Sequence, residues 1–328
     1  MRGLLRSMAA MLLALLATTG AALAQGKPIT LAATLTPDVP QVILAIEKGY
    51  WKELGIEVKL VPFATGREAF EALLGGQVDF AALAEFPMTI GVLRQQKFAV
   101  VADLARYNAQ RVIASAKKLP LKSLSELEGK KVGTTLGSNA EFLTGVILNE
   151  GGVKAQIVNV APADLVPALS RGDIDAAVMF PSFYAQAKKI LGDDYREIIT
   201  AKYTSHFVIA ATSDMVGPRA AEATAFMKGL VRADALVKAE PAATQESIIR
   251  AMKGVMSAEM LAGIFKDTDY KVVLNEDLVS LVQREAVWII ERGLVKAPAS
   301  VTEKTNIRSF IRPEILSAVA KDNVALSP

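Results

Sequence analysis

Apolar positions along the chain recur with two periods, one of two residues and one near 3.6, which are typical of strands and helices respectively. The first part of the chain predicts strands over residues 29–34, 56–62, 78–84 and 98–104. Between them the pattern predicts helices over residues 41–54, 67–74 and 88–95. Short connections between alternating strands and helices indicate parallel strands joined by right-handed crossovers.

The same alternation begins again after residues 108–115, which have the pattern of a strand that leaves the first group of elements. Further strands are predicted over residues 131–135, 155–160 and 174–180, and further helices over residues 139–149 and 162–169. Residues 206–212 have the pattern of a strand that returns to the first group. From about residue 218 onward the period is helical, most strongly over residues 276–292.

These elements predict an α/β protein with two lobes, each a mostly parallel sheet with flanking helices. Residues 25–110 are predicted to form the first part of lobe one, and residues 111–206 to form lobe two. Residues 207–328 are predicted to complete lobe one with the return strand and the C-terminal helices. Two strands that join two lobes make a natural hinge with a ligand-binding cleft beside it.

One helix-turn-strand pattern occurs in both predicted lobes. Residues 72–81 read ALLGGQVDFA and residues 168–177 read ALSRGDIDAA, with a glycine at the turn in each copy. A chance match is the alternative, but the same order of flanking elements argues against it. We interpret the shared acids Asp79 and Asp175 as structural. We expect the ligand to be selected where the copies diverge, by Glu85, Phe86 and Pro87 after the first and by Phe180, Pro181 and Tyr184 after the second.

The N-terminus has the pattern of a secretory signal peptide. Arg2 and Arg6 precede an apolar stretch, and the small-residue site Ala22-Leu23-Ala24 predicts cleavage after Ala24. A retained membrane anchor is the alternative, although the apolar stretch is shorter than the roughly 20 residues that a spanning helix needs. We therefore expect a periplasmic protein of a diderm bacterium, with residues 1–24 removed.

Composition narrows the possible functions. The full chain has 37 Lys and Arg residues against 34 Asp and Glu residues, and the predicted leader contains two of the arginines and none of the acids. The mature chain is thus nearly neutral, which gives no support for nucleic-acid binding. The chain has no cysteine, so disulfides, lipid attachment through a thiol, and Cys-based catalytic or zinc sites are excluded.

Two predicted helices begin with a capping-box sequence, Thr65-Gly66-Arg67-Glu68 and Ser138-Asn139-Ala140-Glu141. One interpretation is that each is a self-contained cap that stabilises its helix and does nothing else. Alternatively, parallel strands bring both helix N-termini to one edge, where free N–H groups and the helix dipole would receive an anion. The carboxylates of Glu68 and Glu141 count against this second interpretation, because they already use part of that positive potential.

Four segments in consistent order carry a family resemblance: residues 40–63, 72–83, 123–143 and 168–184. Together they resemble the periplasmic solute-binding proteins of ABC importers, in the branch that includes taurine, alkanesulfonate, nitrate and thiamine-pyrimidine binders. The resemblance covers about residues 30–215. It implies a two-lobed periplasmic-binding-protein fold, type II-like, that closes on a small solute and delivers it to a membrane permease. It implies no cofactor, no metal and no catalysis, and we expect a monomer.

Transfer of the family motifs gives a set of residues expected to face the ligand. They are Thr36, Pro37, Thr65, Gly66, Glu85, Phe86, Gly137, Ser138, Asn139, Phe180 and Tyr184, with His206 as a structural or cleft-lining histidine. Glu85 departs from the small residues of many sulfonate binders. It would point to solvent, pair with a cation such as Arg106, or meet a cationic or hydrogen-bond-donating ligand. The aromatic pair Phe180 and Tyr184 suits a ring or an apolar tail. A sulfonate, a zwitterion and a nitrogen heterocycle all remain open.

The sequence gives little support for an enzyme. His206 is the sole histidine, and its neighbour Ser205 would face the opposite side of a strand. The chain has no GxSxG elbow, no phosphate-binding glycine loop, and no cysteine-rich iron motif of the related pyrimidine synthases. A transport-linked binding protein is the leading hypothesis. A periplasmic sensor that binds the same kind of solute is the second.

Overall fold

The computed structural model describes residues 27–34, 36–253 and 256–327, so the predicted signal peptide lies outside the described residues. Two β-sheets with flanking helices form the protein. In the order in which they lie side by side, the seven strands of the first sheet are β12 (Val324–Ala325), β11 (Thr268–Asn275), β4 (Ala99–Tyr107), β10 (Ser205–Ala211), β3 (Phe80–Ala84), β1 (Ile29–Ala33) and β2 (Val58–Pro62).

The second sheet has five strands. In spatial order they are β7 (Gln156–Asn159), β6 (Lys131–Thr134), β8 (Ala176–Val178), β5 (Gln110–Ser115) and β9 (Tyr195–Thr200). The chain thus leaves the first sheet after Tyr107 and returns to it at Ser205. We call the part of the molecule built on the first sheet lobe one and the part built on the second sheet lobe two.

Strand direction depends on where a strand enters its lobe. Strands β1, β2 and β3 pair with one another in parallel, as do β6, β7 and β8, in agreement with the sequence pattern. The strands that carry the chain across run the other way: β10 is antiparallel to β3 and β4, and β5 is antiparallel to β8 and β9. A strand that arrives from the other lobe starts at the cleft edge, so it must run opposite to strands that end there.

Helices cover both sheets. They are α1 (Pro40–Glu47), α2 (Tyr50–Glu53), α3 (Gly66–Leu74), α4 (Glu85–Leu93), α5 (Asn139–Gly151), α6 (Leu165–Arg171), α7 (Tyr184–Leu191), α8 (Ala220–Ala239), α9 (Pro241–Ala251), α10 (Ala258–Lys266), α11 (Glu276–Glu291), α12 (Lys304–Arg308) and α13 (Pro313–Ser317). None of the helices in the described ranges is both long and apolar enough to cross a lipid bilayer.

Several predicted elements differ in extent from the observed ones. The helix predicted over residues 41–54 is two helices, because Gly49 adopts a left-handed φ of 70° between α1 and α2. Helix α4 begins at Glu85 and not at Met88. Within the region predicted to be wholly helical, β11 is a strand whose alternate residues Tyr270, Val272 and Leu274 are buried. The strongest predicted helix, over residues 276–292, is confirmed as α11.

The repeated pattern has the same local structure in both lobes. Gly76 and Gly172 take φ values of 69° and 79° at the helix-to-strand turn, a conformation that favours glycine. Asp79 accepts hydrogen bonds from the Thr30 backbone N–H and from Arg219, at 2.8 and 2.6 Å. Asp175 accepts one from the Lys131 backbone N–H at 2.9 Å. Each acid thus links the start of its own strand to the neighbouring strand through a hydrogen bond, which confirms their structural interpretation.

The C-terminal helices belong to both lobes. Leu278, Val279 and Val282 of α11 lie in the core around the first sheet. From the same helix, Leu281 and Ile289 lie in the core on one face of the second sheet, together with Val112, Val178 and Leu143. Helices α9 and α10 contribute Ile248, Leu261 and Ile264 to the core on its other face. The sequence partition, which assigned residues 207–328 to lobe one alone, therefore needs revision.

Candidate ligand-binding cleft

An open cleft of about 820 Å³ lies between the lobes. Residues from the ends of β1 and β3 and from the start of α3 line it on the side of lobe one. The start of α5, residues 180–183 and one face of α7 line it on the side of lobe two, and Met252, Ser257 and Met260 close one end. A volume of this size is typical of pockets for organic ligands. It is far larger than the volume of an inorganic anion.

The N-terminus of helix α3 lies at the cleft, where its free backbone N–H groups can bind an anion. The Thr65 hydroxyl accepts a hydrogen bond from the Glu68 N–H at 3.2 Å, and the Glu68 carboxylate accepts one from the Thr65 N–H at 3.1 Å. The predicted capping box is therefore present. Because it satisfies only those two groups, the N–H groups of Gly66 and Arg67 are left at the open end of the helix. Gly66 itself allows a close approach to β3, since a Cβ there would lie 3.0 Å from that of Leu83.

The N-terminus of helix α5 lies on the lobe-two side of the cleft, and its cap differs from that of α3. The Ser138 hydroxyl accepts from the Ala140 N–H at 3.2 Å, and the Glu141 carboxylate accepts from the Gly137 N–H at 2.7 Å. The capping box predicted for Ser138 and Glu141 is not formed in its usual pairing, because Gly137, with a φ of 76°, turns its own N–H toward Glu141. Ser138 and Asn139 both line the cleft.

Arg67 connects the two helix starts. Its guanidinium pairs with Glu71 at 3.4 Å, and its Nη1 lies 3.5 Å from the Leu136 carbonyl oxygen of lobe two. A Cβ on Gly137 would lie only 2.7 Å from the Arg67 Cδ. The Arg67 side chain thus crosses the cleft and lies against the lobe-two loop that precedes α5. Lys189 of α7 is a second cation in the cleft wall.

The rest of the wall is mostly apolar. Phe180, Phe183 and Phe207 line the cleft together with Met252 and Met260. Aromatic faces and flexible thioethers suit an apolar or ring-shaped body of a ligand.

Asp38 is the buried acid of this cleft. It follows β1, lines the cleft, and is 4% exposed. Its Oδ1 atom has no hydrogen-bond partner among the described residues. Burial raises the pKa of Asp38 to about 6, an effect that the Thr36 hydroxyl and the Asp38 backbone N–H only partly offset.

The structure brings together half of the residues that the sequence predicted to face the ligand. Thr36, Thr65, Gly66, Ser138, Asn139 and Phe180 line the cleft. Pro37 is buried, and its carbonyl accepts a hydrogen bond from the Tyr270 hydroxyl at 2.9 Å. The Arg111 guanidinium carbon lies over the Tyr184 ring, 4.5 Å from the ring centre. Tyr184 lines a neighbouring cavity of about 200 Å³. Gly137 lies against the Arg67 side chain at the edge of the cleft.

Glu85, Phe86 and His206 do not line the cleft. Since α4 begins at Glu85, the first two side chains of the helix turn into the protein, and Ala84 and Pro87 line the cleft in their place. Phe86 is fully buried, with its ring centre 6.1 Å from those of Phe142 and Trp288. None of the three alternatives for Glu85 holds as stated: it is 0% exposed, and Arg106 pairs instead with Asp103 and Asp269.

Glu85 belongs to a buried group at the junction of the lobes, which we call the junction cluster: Glu85, Asp103, Tyr203, His206 and Glu285. The Glu85 carboxylate accepts hydrogen bonds from the Tyr203 hydroxyl and from the His206 backbone N–H, the latter at 2.9 Å. The His206 Nδ1 lies 2.7 Å from the Asp103 carboxylate. Thr89 donates to Glu285 at 2.6 Å. The cluster thus joins α4, β4, β10 and α11.

Charges within the junction cluster are matched. Burial raises the pKa of Glu285 well above its usual range, and the nearby Glu85 charge raises it further, so the environment favours the neutral form of Glu285. Burial also raises the pKa of Glu85, while His206 and the Tyr203 hydroxyl oppose that effect. Burial lowers the pKa of His206, but the Asp103 carboxylate outweighs it, and the net shift is upward. The cluster needs no ligand to balance its charges.

The family is decided by a sequence profile described as NMT1/THI5-like, which matches residues 36–244 and so covers more than half of the chain. The chain belongs to the NMT1/THI5-like family. This confirms the resemblance drawn from the sequence motifs.

Curated relatives of this NMT1/THI5-like protein carry the names of binding proteins. A putative binding protein of Brucella abortus is 30% identical over 137 residues, which are 41% of this chain and 41% of that relative. The chain therefore matches less than half the length of that relative. A putative aliphatic sulfonates-binding protein of Escherichia coli K12 is 24% identical over 263 residues, which are 76% of this chain and 79% of the relative.

Solved structures similar to this NMT1/THI5-like protein establish its fold. The alkanesulfonate-binding protein SsuA of Xanthomonas axonopodis pv. citri, bound to MOPS, superposes with a TM-score of 0.74 at 16% identity. The match covers 88% of this chain and 99% of that one. The desulfurization enzyme DSZB superposes with a TM-score of 0.66 at 13% identity, covering 90% and 99%. At such identities the likeness shows the fold alone, and the two-lobed periplasmic-binding-protein fold is confirmed.

Sequence reasoning missed several residues of the cleft in this family member. Asp38, Arg67 and Lys189 carry its charges, and Met252 and Met260 close one end. Arg67 was visible as part of a capping box, but that motif concerns its neighbours. Asp38 had a usable signal, because it lies in a Pro-Asp-Val-Pro loop directly after a predicted strand. In the described ranges, no group of His, Asp and Glu side chains is arranged to hold a metal ion.

Proposed function

We propose that this protein is the solute-binding component of an ABC-type importer. It captures a small organic solute with an anionic group, such as a sulfonate or a related anion or zwitterion, and delivers it to a membrane permease. The observation that carries the proposal is the meeting of two helix N-termini, one from each lobe, with Arg67 beside them. Such a site offers N–H donors, a helix dipole and a guanidinium to one anionic group.

Capture proceeds by closure of the lobes. The solute first binds lobe one at Thr65 and Gly66, and lobe two then adds Ser138 and Asn139 from the other side. A ligand that contacts both lobes binds the closed form more tightly and therefore increases its population. The contact of Arg67 with Gly137 supports this mechanism, because it already joins the two faces of the cleft.

The proposed location is the periplasm. The predicted signal peptide over residues 1–24 supports it, as does the name of a taurine-binding periplasmic protein of Escherichia coli K12 that is 27% identical over 163 residues, 47% of this chain and 49% of that one. Partners on this proposal are the solute and the permease subunits, and the monomeric state stays a prediction.

The proposal assigns the protein no catalytic role. The fold also occurs in an enzyme, so the fold does not decide the matter. The sole histidine of the chain, His206, is 4% exposed and bound to Asp103 at the lobe junction, away from the cleft wall. The Ser205 hydroxyl accepts a hydrogen bond from the Gln110 side-chain amide at 2.7 Å. Ser205 and His206 thus do not form a nucleophile and base pair in the cleft.

A thermal-shift screen of residues 25–328 tests the proposal. The screen includes alkyl and aryl sulfonates, nitrate, pyrimidines, polyamines and aromatic acids. A ligand present at 100 times its dissociation constant adds about 2.7 kcal/mol to the free energy of unfolding. We expect stabilisation by organic acids, confirmed by calorimetry, and a weaker affinity in Asn139→Ala. Stabilisation by polyamines alone would contradict the proposed anion site.

Transport is tested separately in the source organism. Deletion of the gene should abolish growth on the identified ligand as the sole sulfur, nitrogen or carbon source. Normal growth would favour the sensor hypothesis.

A further inference from the structure

One charged group of the cleft is left unused by the anion site. Asp38 lines the cleft wall and is 4% exposed, yet its Oδ1 has no hydrogen-bond partner among the described residues. Buried carboxylates in proteins are normally paired with a cation or accept several hydrogen bonds. A buried oxygen without a partner in the wall of a ligand cleft is an acceptor available to the ligand.

The phenols near Asp38 and the cation on the same lobe are committed elsewhere, and the Thr36 hydroxyl and the Asp38 backbone N–H only partly offset the effect of burial on the Asp38 pKa. Two buried phenols, Tyr107 and Tyr270, lie close enough for the Asp38 charge to raise their pKa values. Both donate their hydroxyl hydrogen to a backbone carbonyl, at 2.9 Å in each case, and not to Asp38. The cation on the same lobe, Arg67, pairs with Glu71. The protein itself therefore supplies no cation to Asp38 in the described residues.

The acid and the anion site are separate regions of one cleft. Arg67 lies against Leu136 and Gly137 at the start of α5, whereas Asp38 follows β1 and has Tyr107 and Tyr270 as neighbours. The cleft also contains apolar wall, with Phe180, Phe207 and Met260. One molecule that uses all three features needs an anionic group, an apolar body and a hydrogen-bond donor.

We propose that Asp38 is a specificity-determining residue that binds a protonated amine, and that the solute is a zwitterion with an apolar, ring-sized body between its amine and its acidic group. This inference rests on the proposed function, because it assigns the second half of the same cleft. Asp38 discriminates against acids that lack the amine, since such ligands would bury its charge without a partner.

The test compares two pairs of ligands that differ in the amine. The first pair is para-(aminomethyl)benzenesulfonate and para-toluenesulfonate, and the second is para-(aminomethyl)benzoate and para-toluate. Calorimetry with residues 25–328 should give an affinity at least about tenfold higher for the aminomethyl member of at least one pair. In Asp38→Asn this preference should disappear, mainly through loss of affinity for the aminomethyl member.

Asp79→Asn is the matched control. It makes the same chemical change in lobe one, at an acid outside the cleft whose partners are Thr30 and Arg219. The preference for the amine should persist in this variant. Equal affinities within both pairs, or a preference that survives Asp38→Asn, would overturn the role of Asp38 and leave the proposed function intact. If none of the four probes binds, the inference fails in its stated form. The proposed function fails only if the broader screen of organic acids is also negative.

Discussion

Two of the places where this protein buries carboxyl groups differ in what surrounds them. At the junction cluster, Glu85 accepts two hydrogen bonds, the Asp103 carboxylate lies against His206, and burial and the Glu85 charge raise the pKa of Glu285 well above its usual range. One oxygen of Asp103 and one of Glu285 lack a hydrogen-bond partner among the described residues, as does Oδ1 of Asp38. Of these three acids, only Asp38 lines the cleft. The difference teaches that neither burial nor a missing partner alone marks a binding site. An oxygen without a partner in the wall of a ligand-sized cleft does.

The largest expected effect comes from breaking the junction cluster. Glu85→Ala removes the acceptor of the Tyr203 hydroxyl and the His206 N–H, both buried, and leaves His206 without one of its charge partners. We expect a loss of about 3–5 kcal/mol in the free energy of unfolding, measured by urea denaturation at pH 7.

Glu285→Gln is the control for that loss. Burial and the Glu85 charge raise the pKa of Glu285 well above its usual range and so favour its neutral form. A neutral amide resembles that form, and the loss should be below about 1 kcal/mol. A similar loss in both variants would mean that the two carboxyl groups are not distinguished as the structure indicates.

Asp38→Asn should have the opposite sign, stabilising the ligand-free protein. Burial raises the pKa of Asp38 from 3.8 to about 6, so the folded protein holds this proton more tightly than the unfolded chain does. Stability from the protonated form is complete below pH 3.8 and is lost as the pH rises through about 6, which costs about 3 kcal/mol above pH 7. Urea denaturation should show the variant more stable than the wild type at pH 8 but not at pH 4. A loss of stability at pH 8 would show that Asp38 has a partner in the protein.

The affinity for an amine-bearing ligand should fall with pH in the same range. With a pKa of about 6, the Asp38 carboxyl of the free protein is mostly ionised at pH 7 and mostly protonated at pH 5. Calorimetry should give an affinity for para-(aminomethyl)benzenesulfonate about tenfold weaker at pH 5 than at pH 7. The affinity for para-toluenesulfonate should not weaken in this way. Parallel losses for both ligands would point to the anion site as the titrating element.

The smallest effect separates contact across the cleft from backbone strain. Gly137→Ala places a Cβ 2.7 Å from the Arg67 Cδ at a residue with a φ of 76°. Gly152→Ala, at the other end of α5, has a φ of 64° and meets no atom within 4 Å. Both should lose about 1 kcal/mol of stability from strain, and only Gly137→Ala should weaken ligand affinity by calorimetry, severalfold. Equal affinities in the two variants would argue that Arg67 does not act in closure.

The sequence allowed the two-lobed fold to be predicted because each lobe is built from local alternation. The glycine turns at Gly76 and Gly172 and the strand pairs around them depend on neighbours close in the chain. Strand β11 was missed, although Tyr270, Val272 and Leu274 alternate with more exposed residues, because helices flank it on both sides.

The two groups of acids could not be told apart from the sequence. Glu85 directly follows a strand whose end lines the cleft, but its partners are Tyr203 and His206, more than a hundred positions away. The environment of Asp38 likewise depends on Tyr107 and Tyr270, which only the folded chain brings near. Four of the predicted cleft residues, Thr65, Gly66, Ser138 and Asn139, could be placed because they lie at helix starts, where local sequence sets the geometry.

Helix α11 has a consequence for the order of events during synthesis. It completes one face of the core of lobe two with Leu281 and Ile289, although the five strands of that lobe lie in residues 110–200, which leave the ribosome much earlier. A nascent chain that lacks these side chains leaves Val112, Val178 and Leu143 of that core without part of their cover. Domains form stable units only when their core is assembled. Stable folding of lobe two therefore waits until residues 276–291 have been synthesised, long after the strands of its sheet.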